Sequence, residues 1–342
     1  MGTKNSFERR DKRITELPFV TFAIPTYNSG GKLERLLKSI TMQNYPKDKY
    51  EILIADGGSS DDTIEIAKKY DCKILYNPKR FAEPGKAVCI DNARGDFICF
   101  VDDDNELPSD EWLLKMVNPL IIDKEIVATE PIRFEYRKDI SALNRYWALS
   151  GYNDPAIYYT GLYDKWNLVS NSWNGIGIKG EDEGNYIKFK IEDPSALLTL
   201  GANGFCVRAD AIRQTNYHEL LDVDKVAELI RLGYNTFAKV KVGIYHYFCS
   251  SLTQYVDKAK RKAKNITNPY HVGIKHRRIR YSFLGLVKFA LATITLAPLL
   301  YYSIRGYFKV QDRAWFMHIP VCWITLIIYS KEYLGTLLKQ EY

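Results

Sequence analysis

The sequence lacks the marks of several common classes. None of its six cysteines (Cys72, Cys89, Cys99, Cys206, Cys249 and Cys322) is spaced as a CxxC pair, and most sit inside apolar runs. Buried thiols in a reducing compartment are expected, not disulfides or a thiol zinc site. No GxGxxG follows the first strand-like run, which removes the dinucleotide-binding oxidoreductases. The opening residues, MGTKNSFERRDKR, hold no apolar core, so no signal peptide is expected. There is no internal repeat and no low-complexity tract. Neither sign of charge dominates: 48 Lys and Arg against 41 Asp and Glu leave a net +7. That excess is too small to imply nucleic acid, and no nucleic-acid partner is expected.

What is present is a chain of 342 residues, 46% of them apolar, enough for a substantial core in one or two domains. The first hundred residues alternate. Phe19 to Thr26 reads as a strand, and Lys32 to Thr41 as a helix with Leu33, Leu36, Leu37 and Ile40 on one face. Tyr50 to Asp56 is the next strand, and Asp61-Asp62-Thr63 can cap a helix running to Tyr70. Cys72 to Asn77 and Gly95 to Val101 complete the series. This alternation predicts a parallel sheet with right-handed crossovers, in which ligands collect at the carboxyl ends of the strands. Arg133 to Glu192 is rich in Tyr, Trp, Asn and Gly with little periodicity, and reads as long loops with some helix over the site. Val223 to Tyr234 is a predicted helix stopped by Gly233, and Thr236 to Tyr247 a strand.

The stretch FICFVDDDNELPSDEW ends an apolar run in Asp102, Asp103 and Asp104. Three adjacent carboxylates repel one another unless a cation relieves them, and Mg2+ and Mn2+ prefer such oxygen ligands. In extended backbone residues i and i+2 share a face. Asp102 and Asp104 are therefore expected to point together, with Glu106 next in the row and Asp103 turned elsewhere. Asp56 also stands at a strand end. Gly201 and Gly204, set between apolar residues, suit a close approach of backbone to a ligand.

Two C-terminal stretches suggest a membrane. Ser282 to Ser303, interrupted only by Lys288, would reach about 33 Å as one helix, close to a hydrocarbon core. Ala314 to Leu338 is a second candidate span, and Tyr and Trp cluster at the ends of both. The run KHRRIR (Lys275 to Arg280) before the first would leave the large N-terminal part in the cytoplasm. Ser251 to Ile266 reads as a basic helix with Leu252, Tyr255, Val256 and Ala259 on its apolar side, suited to an anionic lipid surface.

The blocks IPTYNSGGKLERLLKSITMQNYPKDKYEILIADGGSSDDT and GDFICFVDDDNELPSDEWL together resemble the family 2 glycosyltransferases. LGANGFCVRADAI and GIYH extend the likeness to about Phe19 through Arg261. The membrane-anchored members, such as dolichyl-phosphate mannosyltransferases and lipid-linked glycan synthases, are similar in plan. The resemblance implies the GT-A fold, an α/β Rossmann-like mixed sheet, followed here by C-terminal transmembrane helices. It divides the chain into an N-terminal segment (1–18), a catalytic domain (19–248), a basic interfacial helix and linker (249–280) and a transmembrane hairpin (281–338).

The resemblance also assigns roles. Pro25, Tyr27 and Asn28 match the loop holding the base and ribose, and Asp56 the aspartate that hydrogen-bonds the base. Asp102 matches the first acid of the DxD motif, near ribose and metal, with Asp103 counted among the donor-binding residues. Asp104 matches the direct metal ligand, joined by Asp102 and by Glu106 or His246. The segment Gly201, Ala202, Asn203, Gly204 matches the lining of the sugar and acceptor pocket. Asp222 stands where the catalytic base is usual, with Asp224 close by, and Lys86 is within reach of a phosphate. The chain departs from the family pattern at Ser29, where an acid is usual, and at Leu221, where Glu usually precedes Asp222. It has no QxxRW motif, which argues against processive synthesis.

The implied activity is an inverting, Mn2+- or Mg2+-dependent transfer of a sugar from a nucleoside diphosphate. Mannose from GDP-mannose is the first candidate, passed to a polyprenyl- or dolichyl-phosphate-linked acceptor at a cell membrane. Basic residues such as Arg208, Lys258, Arg261 or Lys262 would hold an acceptor phosphate. UDP-sugar-dependent elongation of a lipid-linked oligosaccharide or exopolysaccharide is the alternative within the class. A non-catalytic membrane scaffold of the same fold is the alternative outside it.

Overall fold

The computed structural model describes residues 16–194, 198–218, 220, 222–267 and 282–340. The opening polar segment, Leu221 and the KHRRIR run lie outside the described residues.

The first half alternates as its periodicity requires: β1 (Val20–Thr26), α1 (Gly30–Thr41), β2 (Tyr50–Asp56), α2 (Thr63–Lys69), β3 (Lys73–Tyr76), α3 (Ala82–Asn92) and β4 (Phe97–Phe100). β1 is buried along its whole length, as an apolar strand covered on both faces must be. Asp61 accepts from the Thr63 amide at 3.1 Å and from the Gly30 amide at 3.2 Å, so one carboxylate serves the first turns of α1 and α2. The order β3-β2-β1-β4 is parallel throughout.

Beyond β4 the sheet becomes mixed. β5 (Asn105–Glu106), α4 (Trp112–Ile122), β6 (Ala128–Phe134), α5 (Ala142–Ser150), α6 (Pro155–Thr160), β7 (Gly180–Asp182), β8 (Tyr186–Lys190), β9 (Phe205–Arg208), α7 (Ala209–Ile212), α8 (Asp222–Arg231) and β10 (Thr236–His246) follow. β9 is antiparallel to both β4 and β6, while β10 is parallel to β6 and antiparallel to β8. The segment expected as loops over the site contains α5, α6 and the β7–β8 hairpin, and α5 packs on the C-terminal helices. All six cysteines are free thiols, five of them buried and Cys72 half-buried.

The C-terminal part differs from expectation. Ser282 to Ser303 is not one helix. α10 (Phe283–Thr295) and α11 (Ala297–Lys309) meet at 87°, with Leu296 between them at φ 61°. Pro298 is the cause: it lacks an N–H and is tolerated only in a helix's first turn, so it starts α11 instead of continuing α10. α12 (His318–Gln340) follows a 3-10 turn, and the segment Arg313–Tyr333 is long and apolar enough to cross a membrane. Among the described residues there is one such helix, or two spans if the bent pair is counted as one, so the expected multi-pass hairpin is not supported.

α9 (Leu252–Thr267) covers the predicted basic helix, and its apolar residues divide, with Leu252 exposed and others packed in protein. Tyr255 and Ala259 are buried, and the Tyr255 hydroxyl lies 2.5 Å from Thr325 Oγ1 on α12.

Candidate active site

Carboxyl ends of β1 and β4, the start of α3, the turn before β9 and the end of β10 surround a cavity of about 500 Å³. Pro25, Tyr27, Lys86, Asp102, Asp103, Asp104, Asn203, Asp222 and His246 line it. These nine lie between residues 25 and 246 in sequence and share one cavity.

The aspartates do not lie on extended backbone. The Asn105 amide donates to the Asp102 carbonyl at 2.9 Å, closing a tight turn, and the Asp102 amide donates to Asn105 Oδ1 at 2.9 Å. The expected shared face for Asp102 and Asp104 is therefore corrected: the three side chains fan out. Asp102 reaches Lys86 Nζ at 3.2 Å. Asp103 accepts from Ser29, the residue standing where the family has an acid. Asp104 lies 3.5 Å from His246 Nε2 and 3.7 Å from Lys258 Nζ. Glu106 does not continue the row, because the turn sends it elsewhere. It accepts from the Tyr247 hydroxyl at 2.6 Å and pairs with Arg137 at 3.3 Å.

Burial and the neighbouring acids push Asp103 and Asp104 up to about 6 from an ordinary 3.8. Burial, reinforced by Lys258, pushes His246 down to about 3, so its ring is neutral. Asp104 Oδ1 and His246 Nδ1 are buried without a hydrogen-bond partner among the described residues. An orphaned carboxylate oxygen beside a neutral imidazole fits a divalent cation. No group of three or more ligating side chains is already clustered for a metal among the described residues.

Asp222, expected as the base, is first a partner of lysines. Lys86 Nζ lies 2.6 Å from it and Lys225 Nζ 3.5 Å. Burial alone would raise its carboxyl, but the two ammonium groups outweigh burial and hold it below its ordinary value. Lys86 is 2% exposed and joins Asp102 to Asp222 across the cavity floor. Asp224 is buried on α8 and does not line the cavity.

The other expected residues divide into lining and support. Asp56 accepts from the Gly58 and Ser59 amides and the Ser59 hydroxyl, at 2.8, 3.0 and 2.5 Å. The Asn28 amide donates to that same hydroxyl at 2.8 Å, and Asn28 Oδ1 accepts from the Ser60 amide at 2.8 Å. These two residues clasp the β1 and β2 loops behind Tyr27 and do not line the cavity. Gly201 (φ 112°) and Gly204 (φ 90°) are glycines because protein crowds them. A Cβ on Gly201 would lie 2.9 Å from the Asp222 carbonyl, and one on Gly204 2.9 Å from Trp112. Ala202 and Asn203, between them, face the cavity. Arg208 donates to the carbonyls of Leu120, Asp123 and Ile126, a structural role and not an acceptor contact.

Sequence reasoning missed Asn105 and Lys225. Asn105 holds the aspartate turn and donates to Asn203 Oδ1 at 3.0 Å, tying the two cavity walls together. An Asn directly after three acids at the end of an apolar run was the available signal.

The family described as Glycosyl transferase family 2 matches residues 21–171. The chain is 29% identical to glycosyltransferase AglE of Haloferax volcanii over 38% of its own length and 44% of that protein. It is 29% identical to a dolichyl N-acetyl-alpha-D-glucosaminyl phosphate 3-beta-D-2,3-diacetamido-2,3-dideoxy-beta-D-glucuronosyltransferase of Methanococcus voltae, over 43% of its length and 53% of that protein. It is 38% identical to the GalNAc(5)-diNAcBac-PP-undecaprenol beta-1,3-glucosyltransferase of Campylobacter jejuni, over 27% of its length and 32% of that protein. The matched stretches thus span about half of these relatives or less. Among solved structures, a Pyrobaculum calidifontis mannosyltransferase in complex with GDP-mannose and Mn2+ aligns with 92% of this chain and 88% of its own. Its TM-score is 0.51 at 15% identity, a likeness of fold. The match to the glycosyl transferase family 2 model thus falls on residues 21–171, and the mixed sheet is of GT-A type.

Proposed function

We propose that this chain is a divalent-metal-dependent, inverting glycosyltransferase that moves a sugar from a nucleoside diphosphate to a lipid-linked acceptor at a membrane. The carrying observation is the convergence of Tyr27, the Asp102–Asp104 turn, Asn203 and Asp222 on one cavity at the carboxyl ends of the strands. Two of the relatives named above act, by their names, on dolichyl- or undecaprenol-linked substrates, which supports a lipid-linked acceptor here.

In this reading Tyr27 packs against the donor base, with Arg80 5.7 Å over its ring to help fix the stack. Asp104, Asp102 and His246 would hold Mn2+ or Mg2+. Bound there, the cation supplies Lewis-acid relief for charge building on the departing diphosphate. Lys86 keeps Asp102 and Asp222 in place and offers a cation to a phosphate oxygen. For a hydroxyl acceptor Asp222 takes the proton, which requires a shift in its pairing with Lys86 and Lys225. A phosphate acceptor needs no base, and the lysine pairing of Asp222 favours it.

GDP-mannose is the first donor to test, and UDP sugars form the second group. The test is mass spectrometry of lipid products after the full chain, in membranes, is given each nucleotide sugar with Mn2+. A new lipid glycoside that disappears with EDTA supports the reading. No product and no donor hydrolysis across the panel refutes it and leaves the non-catalytic scaffold.

A further inference from the structure

Beside the donor cavity lies a second one of about 600 Å³, bounded by α1, the segment after β6, the segment after β10 and α9. Its lining carries five cations: Lys32 and Arg35 from α1, Arg137, and Lys258 and Arg261 from α9. Two carboxylates, Asp139 and Asp257, share the lining, with Asp139 3.0 Å from Arg137 Nε, so the walls are net positive while the neighbouring cavity floor is net acidic.

The guanidiniums are braced. Arg35 lies 3.9 Å over the Tyr247 ring and Arg137 5.6 Å over the same ring. The Tyr247 hydroxyl is anchored on Glu106, which also pairs with Arg137 at 3.3 Å and Arg35 at 3.9 Å. The buried Nε of Arg35 nevertheless has no hydrogen-bond partner among the described residues. Glu106, expected as a metal ligand, thus serves the second chamber.

Phe248, Lys258 and Arg261 line both cavities and form the wall between them. Lys258 packs 4.0 Å over the Phe248 ring and lies 3.7 Å from Asp104. We infer that the second chamber binds the phosphate or diphosphate ester of the acceptor, one side chain away from the donor. This rests on the donor occupying the acidic cavity. Two fixed guanidinium forks with ammonium groups suit an anion with several oxygens better than a single carboxylate. The chamber wall α9 packs on α12, and α10 and α11 expose Phe283, Leu284, Leu291, Ile294, Tyr301 and Phe308 nearby in the helical unit. That apolar surface suits an acceptor whose phosphate carries a prenyl chain.

The test is calorimetric titration of the full chain in non-ionic micelles with EDTA present, so that the metal site takes no ligand. The probes are inorganic pyrophosphate and farnesyl diphosphate. Wild type is expected to bind, and Lys32→Gln and Arg137→Gln each to weaken binding about tenfold, as loss of a charge-assisted contact should. In a parallel titration with Mn2+ and GDP or UDP, Arg137→Gln changes nucleotide binding less than about twofold, while Lys32→Gln, whose ammonium acts on Asp103 and Asp104, is read in EDTA alone. Farnesyl diphosphate binding tighter than pyrophosphate identifies a lipid-borne acceptor, and equal binding a water-soluble phosphorylated one. No binding by wild type in EDTA, or unchanged binding by both variants, overturns the inference. Lys32 is exposed, so Lys32→Gln stays informative if Arg137→Gln fails to fold. Failure of the nucleotide arm alone, with wild type, would instead refute the donor reading.

Discussion

Glu130, Asp164, Lys165 and Lys239 form a sealed ionic cluster inside the fold. Lys86, Lys225, Asp102 and Asp222 form another at the cavity floor, with Asp103 and Asp104 beside it. Both pair lysines with carboxylates, yet their balance differs. In the sealed cluster Lys165 meets Glu130 at 2.8 Å and Asp164 at 2.5 Å, while Lys239 meets Asp164 at 3.0 Å and pairs with Glu130. Two cations answer two anions, and the remaining valences go to protein: Thr199 Oγ1 donates to Asp164 at 2.5 Å and the Gly201 amide to Glu130 at 3.1 Å. At the cavity floor acids outnumber lysines, and an Asp104 oxygen is left unanswered. A matched cluster holds a loop, here the one that presents Asn203. An unmatched one leaves a place for a cation from outside.

The strongest way to break this contrast is at Asp104. Asp104→Asn should weaken Mn2+-dependent nucleotide binding and turnover about a hundredfold or more, the scale seen when an electrostatic stabiliser is lost. Its melting temperature should not fall, since a repelled buried charge is removed. Unfolding in urea reads the opposite behaviour at the sealed cluster. Lys239→Met leaves Glu130 and Asp164 with one lysine and should cost about 3–5 kcal/mol.

Asp103 and Asp104 bind protons more tightly folded (about 6) than unfolded (ordinary value 3.8), so the folded state holds more protons between these values. Their contribution to metal-free stability is therefore greatest below about pH 4 and falls as pH rises to about 6. Melting curves from pH 4 to 7 with and without Mn2+ should diverge above about pH 6, where the metal no longer competes with protons. The smallest effect is expected at Asn105, which touches the turn and not the ligand. Asn105→Ala should cost about 1–3 kcal/mol of stability for its buried hydrogen bonds and loosen Mn2+ binding, both readable in one titration series.

Local patterns were legible where neighbours in sequence are neighbours in space. The β1 to β4 alternation, the capping acid Asp61, the aspartate run and the β10 strand were all readable from periodicity and residue type. The path of the aspartate side chains was not, because an Asn105 turn replaces extended backbone. Pro298 could have announced the break between α10 and α11, but the surrounding apolar run masked it. The sealed cluster joins residues from Glu130 to Lys239, and no short-range pattern encodes such pairing. Gly201 and Gly204 were expected to let backbone approach a ligand, but both take positive φ and what crowds them is the Asp222 backbone and Trp112. Glu106 looked like a metal ligand by spacing alone, and only the positions of Arg35, Arg137 and Tyr247 give it another place.

In the proposed function the unmatched acids at the cavity floor seat a divalent cation for the donor diphosphate. Paramagnetic resonance of Mn2+ titrated into the full chain, with and without GDP or UDP, tests it most directly. Wild type should immobilise one Mn2+ per chain, more tightly with nucleotide, and Asp104→Asn should leave the ion free. Equal Mn2+ binding by wild type and Asp104→Asn, or none by either, would contradict it.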